Sequence, residues 1–178
     1  MGYFHTRGLR GSTFEELINL TNEAYLRHRL AAIQKISTPI TPVEFDKGKG
    51  VITLAYFGKE STVDYIGNVQ GVPICFDAKE TSLKSLPIQN IHEHQLRFME
   101  AYAEGGAAAF ILVHFTFCDE YYLVDFETIK SYCDGAGQGG RKSIPYSAMK
   151  KQYEIFREGE FLVHYLKALG CYLEELGI

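Results

Sequence analysis

Apolar and polar positions change period along the chain, and the changeovers mark the elements. Phe14, Leu17, Ile18, Thr21 and Tyr25 recur at helical spacing, which predicts a helix over about 13–29. Ser12 and Glu15 form a capping box at its start, and Glu15 and Glu16 place anions in the first turn. Residues 31–36 and 51–57 read as strands. Between them lies Ser37-Thr38-Pro39-Ile40-Thr41-Pro42. Each proline removes a donor and restricts its predecessor, so this stretch suits neither a helix nor a central strand. Lys47-Gly48-Lys49 follows. Residues 37–50 are therefore expected to project from the core, while residues 1–11, with Arg7-Gly8-Leu9-Arg10-Gly11, read as a flexible arm.

From Ser61 to Glu80 two apolar-rich runs flank a turn-like centre, Gly67 to Gly71, the pattern of a β-hairpin. The second run alternates. Ile74, Phe76 and Ala78 fall on one face, and Cys75, Asp77 and Lys79 on the other. A two-residue turn at Val69-Gln70 sets Thr62 opposite Asp77 and Asp64 opposite Cys75. Thr62, Asp64, Asp77 and Lys79 then share one patch. A slip of one residue would remove Asp64 from that face.

Beyond the hairpin, 81–90 reads as a loop and 92–104 as a helix with Leu96 and Met99 inward, ended by Gly105-Gly106. His92 and His94 lack the i, i+4 spacing of a helical zinc pair, and i, i+2 on a helix is expected to splay them. Gln95 can aim back at the hairpin. Residues 107–115 and 121–126 read as strands, 127–133 as a short helix and 161–173 as an apolar helix. The glycine-rich run 134–140 lacks the spacing of a nucleotide cradle and leads into a cationic tip, Arg141-Lys142-Ser143. Helices and strands in this order indicate an α/β domain with a mixed sheet between helices.

Composition narrows the picture. A chain of 178 residues, 46% hydrophobic and 22% charged, favours one globular domain over 12–178. No apolar run is long enough to span a bilayer and Met1 to His5 carries no leader-like apolar segment, so the expectation is a cytoplasmic protein with no membrane partner. Cys75, Cys118, Cys133 and Cys171 are far apart and form no C-x-x-C pair. They read as reduced thiols. The net charge of −4 taken alone argues against a nucleic-acid partner. Its distribution argues otherwise. Residues 1–59 hold 8 Lys+Arg against 5 Asp+Glu, and residues 60–149 hold 6 against 12, a basic front beside an acidic middle.

The acidic patch has a definite chemistry. Two adjacent carboxylates repel, and a divalent cation offsets the repulsion. Mg²⁺ takes one or two carboxylates with waters and phosphate oxygens. Asp64 and Asp77 suit it, with Thr62 and Gln95 as neutral oxygen donors and Lys79 near the same phosphate. An acid, then about a dozen residues, then acid-x-lysine on a strand is the pattern of the PD-(D/E)xK nucleases.

The surrounding residues carry a closer likeness. They are Arg7-Gly8, Asn22-Glu23, Thr38-Pro39-Ile40, Ala55-Tyr56-Phe57, Ser61-Thr62 with Asp64-Tyr65, Ala78-Lys79-Glu80-Thr81, His92 with His94-Gln95, and Gly139 to Ile144. With them the chain resembles the RecU-type Holliday-junction resolvases of Gram-positive bacteria over nearly its whole length. The resemblance implies a restriction-endonuclease-like fold, a homodimer, and Mg²⁺- or Mn²⁺-dependent cleavage of four-way DNA junctions in recombination and repair. A RecA-type recombinase as partner and a place at the nucleoid are further expectations. It implies Thr62, Asp64, Asp77 and Gln95 around the metal, with Lys79 stabilising the transition state. It also implies a stalk at 37–50, carrying Lys47 and Lys49, that enters the junction. Arg7 and Arg10 on the arm, with Arg141 and Lys142 on the tip, complete the expected DNA contacts. Asp77 stands where that family usually has glutamate. With the low net charge, this keeps a second reading in view, a junction-binding, recombinase-modulating protein with little cleavage. A third is a duplex-specific nuclease on the same fold.

Overall fold

The computed structural model describes residues 13–37, 39–58 and 62–178. Its central strand is Val72–Thr81, β5 in chain order. On one side it pairs antiparallel with β4 (Tyr65–Val69) and on the other parallel with β7 (Ala108–Phe115). The crossover between the parallel strands carries helix α2 (Glu93–Glu104). β1 (Ala32–Lys35) pairs outside β4, and β8 (Glu120–Asp125) and β10 (Glu154–Ile155) continue beyond β7. The result is a six-stranded mixed sheet in the order β1-β4-β5-β7-β8-β10.

Alternation on β5 divides the interior in two. Ile74 and Phe76 point into a cluster under α1 (Phe14–Arg27) and α4 (Leu166–Leu176). Cys75 points into a second cluster with Met99 of α2 and with Phe126 and Ile129 of α3 (Phe126–Gly137). Phe76 is stacked between Tyr65 and Phe110, at centroid distances of 4.7 and 5.0 Å. β7 is apolar along nearly its whole length because both of its faces are covered.

The hairpin's register differs from the expected one. Val69 pairs with Val72, so the turn is Gln70-Gly71, with φ of +51° and +100°. Two left-handed residues suit a tight hairpin, and glycine takes the second without strain, whereas Val69 in the turn would be strained. The Asn68 side chain accepts from the Gly71 amide at 2.8 Å. The shift changes the pairing sum by two, so every side chain keeps its face. Asp64, one residue beyond the last pair Tyr65–Phe76, now meets Asp77 rather than Cys75.

Other differences are local. Thr13, not Ser12, caps α1, its Oγ1 accepting from the Glu16 amide; Ser12 lies outside the described residues. Helix α3 runs on to Gly137, capped by Asp125 at the Thr128 amide, so the glycine-rich run is partly helix. Phe161 to Tyr165 is not helical: Glu158 and Phe161 bridge around Gly159 (φ +57°), and α4 starts at Leu166. The expected loop 81–90 holds β6 (Ser85–Pro87), paired with β9 (Ser143–Pro145). Of the four free thiols, only Cys75 is fully buried.

The segment expected to project is half of a ribbon. β2 (Ile40–Asp46) pairs with β3 (Val51–Phe57) in a two-stranded sheet separate from the main one. The register shifts next to Pro42, which cannot donate to a ladder. Ile40, Val43, Phe45, Val51, Ile52, Leu54 and Tyr56 are all exposed on it.

Candidate active site

The site forms where the ladder between β4 and β5 ends. Beyond Phe76 the side of β5 that faced β4 has no strand partner among the described residues. The Asp64 carboxylate replaces the missing strand: its Oδ2 accepts from the Ala78 amide at 3.0 Å. In return the Asp64 amide donates to Asp77 Oδ1 at 3.1 Å. The two acids are thus bound to each other's main chain or carboxylate.

Asp77 is fully buried. Gln95, from the first turn of α2, donates its amide nitrogen to Asp77 Oδ1 at 2.9 Å. The Gln95 carbonyl oxygen accepts from the His92 amide at 3.1 Å and from Lys79 Nζ at 3.3 Å. Lys79 Nζ also stands 2.5 Å from Asp77 Oδ2. That approach lies off the direction of a hydrogen bond, and Oδ2 is left buried without a hydrogen-bond partner. A buried carboxylate oxygen in this state is costly. Burial, and then the neighbouring Asp64, raise the Asp77 carboxyl from its ordinary 3.8 to about 7, against the pull of Lys79.

Thr62, Asp64, Asp77, Lys79 and Gln95 were expected to form one patch. Asp64, Asp77, Lys79 and Gln95 are joined by the contacts above. Thr62 is exposed two residues ahead of Asp64 and lines an adjoining cleft with His92, His94 and Arg97. Glu15 pairs with Lys35 of β1. The His92 and His94 rings do not splay: they stack at 5.5 Å, because His92 is the non-helical cap of α2 (φ −74°, ψ 147°). Among the described residues no group of three or more His, Cys, Asp or Glu is arranged to hold a metal. The donor set is a carboxylate pair with neutral oxygens, which suits a hard cation that keeps waters. Asp77 Oδ2 makes no hydrogen bond, and a cation there would take over the charge pairing that Lys79 now supplies.

The expected DNA contacts are scattered. Arg7 and Arg10 lie outside the described residues. Lys47 and Lys49 sit in the ribbon's turn, with Lys49 3.9 Å from Asp46. Arg141 and Lys142 are exposed, and the main chain ties them to the approach to α2, where the Ile88 amide donates to the Lys142 carbonyl at 3.1 Å.

Comparison with known proteins decides the family. The family described as "RecU: Recombination protein U" matches residues 9–170. The chain belongs to the RecU family. Proteins named Holliday junction resolvase RecU are similar to it over most of their length. That of Pediococcus pentosaceus is 38% identical, covering 95% of this chain and 87% of that protein. Those of Oenococcus oeni and Bacillus cereus are each 41% identical, covering 82% and 79% of this chain and 76% and 72% of those proteins. A solved structure of a Holliday junction resolvase from Archaeoglobus fulgidus aligns with a TM-score of 0.39 and 8% identity, over 62% of this chain and 77% of that one. The mixed sheet between helices that the order of elements indicates is the one observed.

Sequence reasoning passed over one group of side chains at this site. His94, Phe98 and Tyr102 recur every four residues along α2, beside Glu93 and Arg97 at the same interval. That stripe of rings and charges was the available signal, and its Glu93, His94, Arg97 and Phe98 form one wall of the cleft beside Thr62.

Proposed function

We propose that this chain is a divalent-metal-dependent endonuclease that resolves four-way DNA junctions. The observation that carries the proposal is the Asp64–Asp77 pair, with the Asp77 carboxylate buried and the Lys79 ammonium against its Oδ2. The names of relatives about 40% identical over most of the chain support the choice of substrate.

Asp64 and Asp77 would hold the cation, with Thr62 and Gln95 supplying neutral oxygens directly or through water. When bound, the cation supplies Lewis-acid polarisation of a phosphoryl oxygen and a more acidic water. The side chains do the rest. Asp64 holds the open end of the hairpin in place through the Ala78 amide. Gln95 fixes Asp77 with one end and Lys79 with the other. Lys79 neutralises charge that develops on the scissile phosphate, or orients the attacking water. Mg²⁺ is the preferred ion and Mn²⁺ a substitute. Asp77, one methylene shorter than glutamate, is accommodated by its place deep in the sheet.

Residues 12–178 act as one nuclease domain, and the ribbon takes the part of the stalk, its reach extending past the 37–50 expected from sequence. Its exposed apolar side chains support association with a second copy and contact with the opened junction. A homodimer would set two sites on strands of like polarity. Lys47, Lys49, Arg141 and Lys142, with Arg7 and Arg10, meet phosphates. A RecA-type recombinase as partner and a place at the nucleoid complete the proposal. Among the described residues no helix is long and apolar enough to cross a membrane.

Incubation with a labelled four-way junction and with linear duplex of the same sequence tests this. Nicking of the junction in Mg²⁺ or Mn²⁺, abolished by EDTA and resistant to duplex competitor, is expected. Equal cutting of duplex would make the protein a general nuclease. Tight junction binding without nicking in either metal would leave only a binding protein.

A further inference from the structure

We propose that the cleft between Thr62 and the outer face of α2 receives an unstacked base of the strand being cut, next to the scissile phosphate. This rests on the endonuclease reading above and adds the part of the substrate that the site reads. The cleft measures about 680 Å³, within the range of about 300–1,000 Å³ usual for small-ligand sites.

Position is the first argument. The cleft begins at Thr62, two residues ahead of Asp64, and reaches His92, whose amide is held by the Gln95 carbonyl. A strand whose phosphate lies at Asp64, Asp77 and Lys79 therefore has its neighbouring nucleotide at the cleft's mouth.

Surface chemistry is the second. The His92 and His94 rings are nearly parallel, 9° apart, and Phe98 in the same wall stacks on Tyr102 at 5.2 Å. Aromatic faces of this kind bind a base whatever its sequence.

Charge is the third, and it separates a base from a phosphate. Arg97 and Glu93, one turn apart, form an ion pair at the rim. A phosphate would meet the Glu93 carboxylate as well as the Arg97 guanidinium. A base edge carries acceptors for Arg97 and donors for Glu93. The crossover of a four-way junction is also where unstacking a base costs least, because stacking is already interrupted there.

The test uses four-way junctions carrying 2-aminopurine at either nucleotide flanking the mapped scissile phosphate. Asp64→Ala protein is used so that binding proceeds without cutting. A fluorescence change on saturation is expected at one flanking position and not at a position several pairs away. Adding Arg97→Ala or His94→Ala is expected to diminish it. In active protein, Arg97→Ala should flatten discrimination among the four bases at that position by roughly ten-fold. Glu93→Gln, which keeps the shape of the rim, is the second variant and should alter which base is preferred. No change at either flanking position overturns the proposal. So does an Arg97→Ala effect that weakens all junctions equally, which marks a phosphate clamp. Wild-type cleavage run alongside separates the levels: absence of cutting defeats the endonuclease reading, whereas cutting with silent probes defeats the base pocket alone.

Discussion

Two hairpins of this chain use the same kind of strand for opposite ends. β4–β5 and β2–β3 are both antiparallel pairs rich in β-branched and aromatic residues. In the first, apolar side chains enter two cores, and the polar groups at its open end bind one another. In the second, seven large apolar side chains face solvent and, among the described residues, the strands have no third partner. A hairpin enclosed on both faces can hold two carboxylates and an ammonium in fixed positions, because its neighbours leave them nowhere else to go. A hairpin enclosed on neither face has its unburied area left for association. In the function proposed above, chemistry belongs to the first and assembly to the second.

The largest effect expected from breaking this contrast is at the open end of β4–β5. Asp77→Ala and Lys79→Ala should each lower single-turnover nicking by roughly 10²–10³-fold, the usual scale for loss of one electrostatic contributor. Full activity in Lys79→Ala would remove its assigned role. Asp77→Glu, with the longer acid, should keep nicking far above Asp77→Ala.

A smaller but distinct effect is expected from the ribbon. Phe45→Ser with Tyr56→Ser removes two exposed rings, each worth about 1.5–3 kcal/mol if fully buried in an assembly. Sedimentation should show a shift toward the monomer at fixed concentration, with the thermal midpoint unchanged. A fall in midpoint with unchanged mass would mean that the ribbon supports the fold rather than assembly.

Gly67→Ala sharpens the other side of the comparison. A Cβ at Gly67 would lie 2.5 Å from the Ala32 carbonyl and 2.8 Å from the Ile33 Cα, both main-chain atoms. The edge pairing of β1 with β4 should loosen, costing about 1–3 kcal/mol by denaturant unfolding. No loss would show that β1 can move aside freely.

The mildest effect follows from pH. Burial pushes the Asp77 carboxyl up from its ordinary 3.8 to about 7 in the folded protein without metal. The folded state then binds the extra proton between these values, so stability falls as pH rises from about 4 to about 7. A cation at the carboxylates opposes that loss. Mg²⁺ should therefore raise the thermal midpoint by a few degrees more at pH 8 than at pH 6. Equal shifts at both values would place the ion elsewhere.

The hairpin and the shared face of Asp64, Asp77 and Lys79 were legible in the sequence because alternation survives a register change of two; Thr62 lies outside the group they form. Asp64 remained on the correct face although its partner was misassigned. The turn itself was misread because Val69 and Gln70 look no less turn-like than Gln70 and Gly71 until the need for two left-handed residues is weighed. The ribbon was half legible. Prolines announced a break from the sheet, but the pairing of Val51–Phe57 with Ile40–Asp46 is a long-range fact that propensity does not carry. The Gln95 bridge was legible as a direction only. That its two ends reach Asp77 and Lys79 depends on how α2 docks, which spacing does not specify. The stacked histidines were missed because a helical period was extended one residue too far, onto the cap.

Asp64 is assigned to the chemistry and not to the grip on DNA. The junction dissociation constant and the single-turnover nicking rate of Asp64→Ala, measured on the same preparation in Mg²⁺, test that assignment. Affinity within about three-fold of wild type, a change below 1 kcal/mol, with nicking lost, is expected. Nicking at the wild-type rate, or affinity and nicking lost together, would overturn the assignment.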